Sequence, residues 1–183
     1  MHMQEYESNF YTSLASCNLL IMLNCNNFLE SDEFKNKYFK GSDAWNTQIL
    51  KQVGIGNLSV MLMILYALIV LPKEQLNNEH SDYLSILDDA IDISCSHYVI
   101  DIETNYNGEK NSDLHTINFH DHMRNAISHG RSKLTNKDKI IFTDKIPNTN
   151  IQCKLKFYRQ DIGLVVEDIS KNLTQYLNEK FNN

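Results

Sequence analysis

Two prolines, Pro72 and Pro147, and six glycines are all that punctuate these 183 residues. Both residue types end helices and supply turns, so their scarcity selects for long helices over a sandwich of many short strands. Hydrophobic residues make up 42% of the chain and charged residues 22%. That is enough apolar material for a core of its own, and the length suits one domain over residues 1–183 rather than two. The formal net charge of −6 argues against a protein that coats nucleic acid without specificity. The charge is unevenly spread, however. Between residues 124 and 139, Arg124, Arg131, Lys133, Lys137 and Lys139 face a single acidic residue, Asp138. Such a run is either a solvated basic loop or a local site for an anion.

The four cysteines, Cys17, Cys25, Cys95 and Cys153, form no Cys-x-x-Cys pair, and three of them fall within helical patterns. Neither a zinc site nor a disulfide framework is expected, and a reducing compartment fits. The N-terminus has no basic stretch followed by an apolar run, so no secretory signal is expected and the cytoplasm is the expected location.

Apolar residues recur at three- and four-residue steps from Tyr6 to Phe28, which predicts a first helix over about 4–29. A short helical piece around Glu33–Phe39 follows, and Gly41 breaks it. Ser42 or Asp43 can cap a helix carrying Trp45, Ile49, Leu50 and Val53. Val53 to Leu71 holds no charge, which touches the lower range for a membrane span. Gly54, Gly56, Asn57 and Ser59 dilute its first third, so the expected form is a buried helix over Leu58–Leu71 that ends at Pro72. Ser81 or Asp82 can cap the next helix, with Tyr83, Ile86, Leu87, Ala90 and Ile91 on one face. The segment from His97 to Ile102 fits strand or helix, and 104–113 reads as a loop. A helix is expected from about Leu114 to His129, closed by Gly130 as a left-handed C-cap. Two strands, at 139–143 and 151–158, flank the turn Pro147-Asn148-Thr149-Asn150 and form a hairpin. A last helix from Asp161 to about Phe181 turns Leu164, Val165, Ile169, Leu173, Tyr176 and Leu177 inward. The fold class expected is mainly α, an up-down helical bundle with a small β-hairpin before the C-terminal helix.

The helix ending at Gly130 has two faces. Phe119, Met123, Ala126 and Ile127 make an apolar stripe. His122, Asn125 and His129, three and then four residues apart, make a polar stripe expected to point away from the core. Arg124 lies five residues before His129, about 140° away around an ideal helix. The two meet only if the arginine reaches around, if the helix loosens near Gly130, or if two chains combine their motifs across an isologous contact. The residue types suit phosphate chemistry. Arginine offers a fork of donors matched to phosphate, and histidine exchanges protons near neutral pH. Asparagine can orient either one. In RNA the 2′-hydroxyl is an internal nucleophile, so a base and a cation come close to sufficing without a metal. Each residue also has a plain structural role. Arg124 can pair with Asp121, Asn125 can bond a loop, and His129 can favour the helix dipole. His120 and His122, two apart on a helix, diverge and suit a shared metal poorly.

The run from His122 to Gly130 (HMRNAISHG) resembles the Arg-x4–6-His signature of the HEPN superfamily (higher eukaryote and prokaryote nucleotide-binding domains). It matches at Arg124, at Asn125 as the polar residue after the arginine, and at His129. The order of helices, the apolar run before Pro72 and the late hairpin resemble a small bacterial and plasmid-borne branch. The resemblance implies an all-α bundle acting as a homodimer with two facing motifs. It also implies metal-independent RNA cleavage in a toxin–antitoxin or phage-defence setting. On that reading Arg124, Asn125 and His129 are catalytic, while His122, Arg131 and Lys133 contact RNA. No cofactor is needed, and an antitoxin or defence partner is implied. The alternative is a non-catalytic module that binds a nucleotide or a protein partner through the same residues.

Overall fold

A computed structural model describes residues 31–38, 58–75 and 81–181, together with Thr12, Ala15, Ser16, Leu19 and Met22, all five helical. The rest of the expected first helix and the helix around Trp45 lie outside the described residues, as do Cys17, Cys25 and the side chain of Leu177. The short helix α1 spans Asp32–Tyr38, close to the expected piece at 33–39. It is followed by α2 (Leu58–Leu65), a wide π-helical turn (Tyr66–Val70) and α3 (Leu71–Gln75).

Pro72 does not end this helical course, contrary to the sequence reading. Within an α-helix a proline lacks one donor and clashes with the carbonyl four residues back. Here the preceding turn is one residue wider, with the Leu71 N–H donating to the Tyr66 carbonyl, and a widened turn relieves that clash. The run is not buried on every side either. Leu65, Ile69 and Val70 are inaccessible, yet Met63 is 72% exposed. Among the described residues no helix is long and apolar enough to cross a membrane.

Helix α4 (Ser81–Tyr98) buries Tyr83, Leu87, Ala90 and Ile91. It resolves the ambiguous segment as helix through Tyr98, then strand β1 (Asp101–Thr104). Helix α5 (Phe119–Ser128) begins five residues later than expected. A single 3-10 turn, Leu114–Thr116, precedes it. Asn118 is the start signal the sequence reading passed over. Its side chain accepts from the Asp121 N–H at 2.9 Å and satisfies one of the helix's orphan donors.

The expected hairpin is present as β3 (Lys139–Lys145) and β4 (Gln152–Tyr158), and two further strands complete a sheet. β2 is Ser132–Leu134, and the antiparallel order is β1-β4-β3-β2. The fold is therefore mainly helical with a small four-stranded sheet rather than a lone hairpin. β2 was illegible locally and β1 only ambiguous, because each is only three or four residues long and gains its hydrogen bonds from a distant partner.

One sheet face carries Ile102, Ile140, Phe142, Cys153, Leu155 and Phe157, all buried. The other carries ion pairs, among them Lys154–Glu103 at 3.0 Å and Lys156–Asp101 at 2.6 Å. This is the alternation of a sheet with one packed side. Helix α5 lies against β3 and β4, and α6 (Arg159–Phe181) packs on α4. Ile162, Val165, Val166, Ile169 and Leu173 form the buried stripe of α6, whereas Leu164, expected inward, is 43% exposed. It sits about 160° around the helix from the centre of that stripe. Each fully buried aliphatic or aromatic side chain here contributes roughly 1.5–3 kcal/mol relative to exposure.

Candidate functional site

Helix α5 is held on two sides. Phe119, Met123, Ala126 and Ile127 are buried as the periodicity predicts, which fixes the rotation of the helix and brings His122 and Asn125 up against β3. At the C-terminal end Gly130 has φ +62°. Its N–H donates to the Ile127 carbonyl at 3.0 Å, and the Arg131 N–H donates to the Ala126 carbonyl at 2.8 Å. These two bonds make a Schellman cap. His129 occupies the last position before it, with φ −96° and ψ 8°, so the helix has opened at the histidine.

The polar stripe does not point outward along its whole length. His122 is only 4% exposed. Its Nδ1 lies 2.9 Å from Asp144 Oδ2 and its Nε2 lies 2.7 Å from Glu109 Oε1. A carboxylate oxygen accepts, so both ring nitrogens donate and the ring is an imidazolium. Burial disfavours that charge, but the hydrogen bonds to Asp144 and Glu109, with the Cys153 sulfur nearby, outweigh it and push the His122 pKa up to about 10. The apolar stripe rotates His122, expected to point outward and to contact RNA, under the sheet, where it is buried.

Asp144 is itself 4% exposed and gathers three donors on one oxygen. They are His122 Nδ1, the Tyr106 hydroxyl at 2.8 Å and Asn125 Nδ2 at 3.2 Å. Burial alone would raise its carboxyl pKa, and the hydrogen bonds from His122, Tyr106 and Asn125 hold it below the ordinary value. The Tyr106 ring packs edge-on to His122, with centroids 4.7 Å apart.

Asn125 faces Arg124 with its other end. Oδ1 accepts from Arg124 Nη2 at 2.9 Å and from Nε at 3.3 Å. The remaining guanidinium nitrogen, Nη1, lies 3.5 Å from Asp121. Asp121 is shared with Lys73 Nζ at 3.1 Å and Asn118 Nδ2 at 2.9 Å. Burial raises the Asp121 pKa, and the Lys73 hydrogen bond leads the contributions that bring it below its usual range. His129 is exposed, and the hydrogen bonds of Arg124 go to Asn125 rather than to it. The structure thus joins Arg124 to Asn125 within one chain, with His129 at the C-cap one turn beyond Asn125. Of the basic residues beyond the helix, Arg131 donates to the Lys145 carbonyl at 2.7 Å and Lys133 is exposed on β2.

Sequence reasoning missed Asp144, Glu109 and Tyr106. A signal for Asp144 existed. It shares the inward face of β3 with Ile140 and Phe142, and an acid in phase with core residues marks a buried polar partner. Glu109 and Tyr106 sit in an irregular loop, where no periodicity reports orientation.

One set of groups with metal-binding side chains occurs among the described residues. Glu109, His122 and Cys153 bring one ligand atom each within 4.8 Å of one another. A metal there would have to displace the Nε2 proton that His122 now gives to Glu109.

An arginine–asparagine pair and an exposed histidine thus share one helix, anchored from below by buried charges. No curated protein and no solved structure matches the chain. The protein family described as HEPN pEK499 p136 matches residues 1–180, nearly the whole sequence, and the chain belongs to that HEPN family.

Proposed function

We propose that this chain is a metal-independent endoribonuclease that cleaves RNA by attack of the 2′-hydroxyl on the adjacent phosphorus. HEPN membership supports a nucleotide-binding or ribonuclease module in general. The observation that favours cleavage is the Arg124–Asn125 pair, partly exposed and held from the interior, on the same helix as the exposed His129. The 2′-oxygen forms a bond to phosphorus as the bond to the 5′-oxygen breaks. One proton leaves the 2′-hydroxyl and one reaches the 5′-oxygen, giving a 2′,3′-cyclic phosphate and a 5′-hydroxyl. Arg124 would offset the charge that builds on the phosphorane, and His129 would act as general base or acid. Asn125 orients Arg124, while Lys133 and Arg131 would guide the RNA backbone.

Arg124 bonds Asn125 and Asp121 rather than His129, and the two motif residues differ by about 140° around an ideal helix, which supports a homodimeric cleft in which each chain supplies part of the other's site. An up-down HEPN bundle, a cytoplasmic location and a toxin–antitoxin or defence setting, with an antitoxin or defence partner, belong to this same reading. The assay is incubation of the purified protein with mixed RNAs in EDTA. Cleavage to cyclic-phosphate ends that His129→Ala reduces by about 10²-fold or more is the expected result. Absence of EDTA-resistant cleavage in wild type would defeat the proposal.

A second reading has its own support. Arg124 is flanked by Asp121 and the net charge is −6, which suits a module that binds a nucleotide or a protein without cutting RNA. It predicts that Arg124→Ala and His129→Ala disrupt a complex while no RNA is cut at any stage.

A further inference from the structure

The geometry points to Asp144 as a positioning residue that sets the Arg124 guanidinium through Asn125, an assignment that rests on the ribonuclease reading for its effect on rate. Asp144 lies on β3 and Arg124 on α5, and no hydrogen bond or ion pair joins them directly. What joins them is an amide with no freedom to turn over. Asn125 Nδ2 donates to Asp144 Oδ2 at 3.2 Å, and Oδ1 accepts two bonds from Arg124 at 2.9 and 3.3 Å. A carboxylate can only accept and a guanidinium can only donate. Rotating the amide by 180° would therefore place like groups against each other at both ends. The orientation of Asn125 is dictated by its neighbours rather than chosen by solvent.

Asp144 can act as the fixed end because it is itself tied down. Its Oδ2 also accepts from the Tyr106 hydroxyl at 2.8 Å and from His122 Nδ1 at 2.9 Å. His122 is held in turn by Glu109 at 2.7 Å, and Glu109 by the Thr104 hydroxyl at 2.6 Å. The anchor thus reaches β1, the loop after it, α5 and β3. Rigid placement of this kind is what a transition-state donor needs, since a misplacement of about 1 Å can cost on the order of 10²-fold in rate.

The consequence for Arg124 is directional. Asn125 occupies the edge made by Nε and Nη2, so the Nη1 side remains for a ligand. That side now faces Asp121 at 3.5 Å, a partly exposed pair weak enough to be exchanged for a phosphate oxygen. A residue that merely filled space would not select which edge of the guanidinium is presented.

The test is a double-mutant cycle on RNA cleavage with Arg124→Ala, Asp144→Ala and the double variant, each first matched to wild type by circular dichroism. Asp144→Ala is expected to lower kcat by about 10- to 100-fold with KM changed less than about threefold. The double variant is expected to cleave within about threefold of Arg124→Ala alone, because groups acting as one unit are not additive. Losses that multiply would overturn the assignment. If Asp144→Ala does not fold, Tyr106→Phe replaces it, removing one of the three donors from a partly exposed side chain with a smaller expected loss. A second measurement does not depend on cleavage. In 15N spectra the Arg124 Nε–H and Asn125 side-chain amide peaks should move in Asp144→Ala and stay in Lys133→Ala. Peaks that stay in Asp144→Ala overturn the positioning role. Peaks that move in a protein that cuts no RNA uphold it while removing the nuclease reading.

Discussion

His122 is an ion kept in the interior by two carboxylates, Glu109 and Asp144, and its worth depends on all three staying together. Replacing it with leucine leaves two acids near each other with no counter-charge. The expected cost is about 3–5 kcal/mol, read from the urea midpoint. The same ion makes stability depend on pH in a definite direction. Its folded pKa of about 10 stands above the unfolded value of about 6.5. The stabilisation is therefore complete below about pH 6.5, declines as pH rises, and is gone once pH passes about 10. Wild-type melting temperatures should fall between pH 7 and 10, and His122→Leu should lack that part of the slope. A wild-type curve that is flat over this range contradicts the buried imidazolium. At this scale the sequence put His122 on a polar stripe expected to face water, and the structure buries it. Spacing places His122 and Asn125 on one stripe, as the shared Asp144 bears out. Spacing does not tell which part of a polar stripe faces water.

Helix α5 is specified at both ends by local chemistry, Asn118 at its start and Gly130 at its close. Gly130 holds φ +62° with nothing within 4 Å of where a Cβ would sit. The space admits alanine and the backbone does not favour it. Gly130→Ala should cost about 1 kcal/mol from left-handed strain, a fall in melting temperature of roughly 2–4 °C for a chain of this length. A neutral result would mean that the cap adjusts freely. The capping glycine was legible because the rule behind it is local. The π-helical turn before Pro72 was not, since its accommodation depends on packing. There the Ile69 carbonyl lies 3.3 Å from His120 Nε2 on α5, and His120 Nδ1 also contacts Asp88 on α4. Three helical segments meet at one ring, and only their assembly makes the widened turn tolerable.

For the whole molecule, the proposed dimer makes a prediction that single chains cannot. Arg124→Ala and His129→Ala proteins, each strongly impaired alone, should regain activity when mixed and allowed to exchange subunits. One mixed cleft would then hold both an intact arginine and an intact histidine. No recovery after exchange, confirmed by mass, would place both residues of a working site in the same chain. The sequence by itself determined the helix-rich character, the hairpin of β3 and β4, and the helix that carries Arg124, Asn125 and His129. Those follow from periodicity and capping, which act over a few residues. Tertiary structure decided that β1 and β2 close the sheet around that hairpin. It also decided that His122 turns inward and that Asp144, 19 positions beyond Asn125, grips the amide holding Arg124. The reason is physical. A buried carboxylate needs donors, and which ones reach it depends on how helix and sheet are pressed together by their apolar faces.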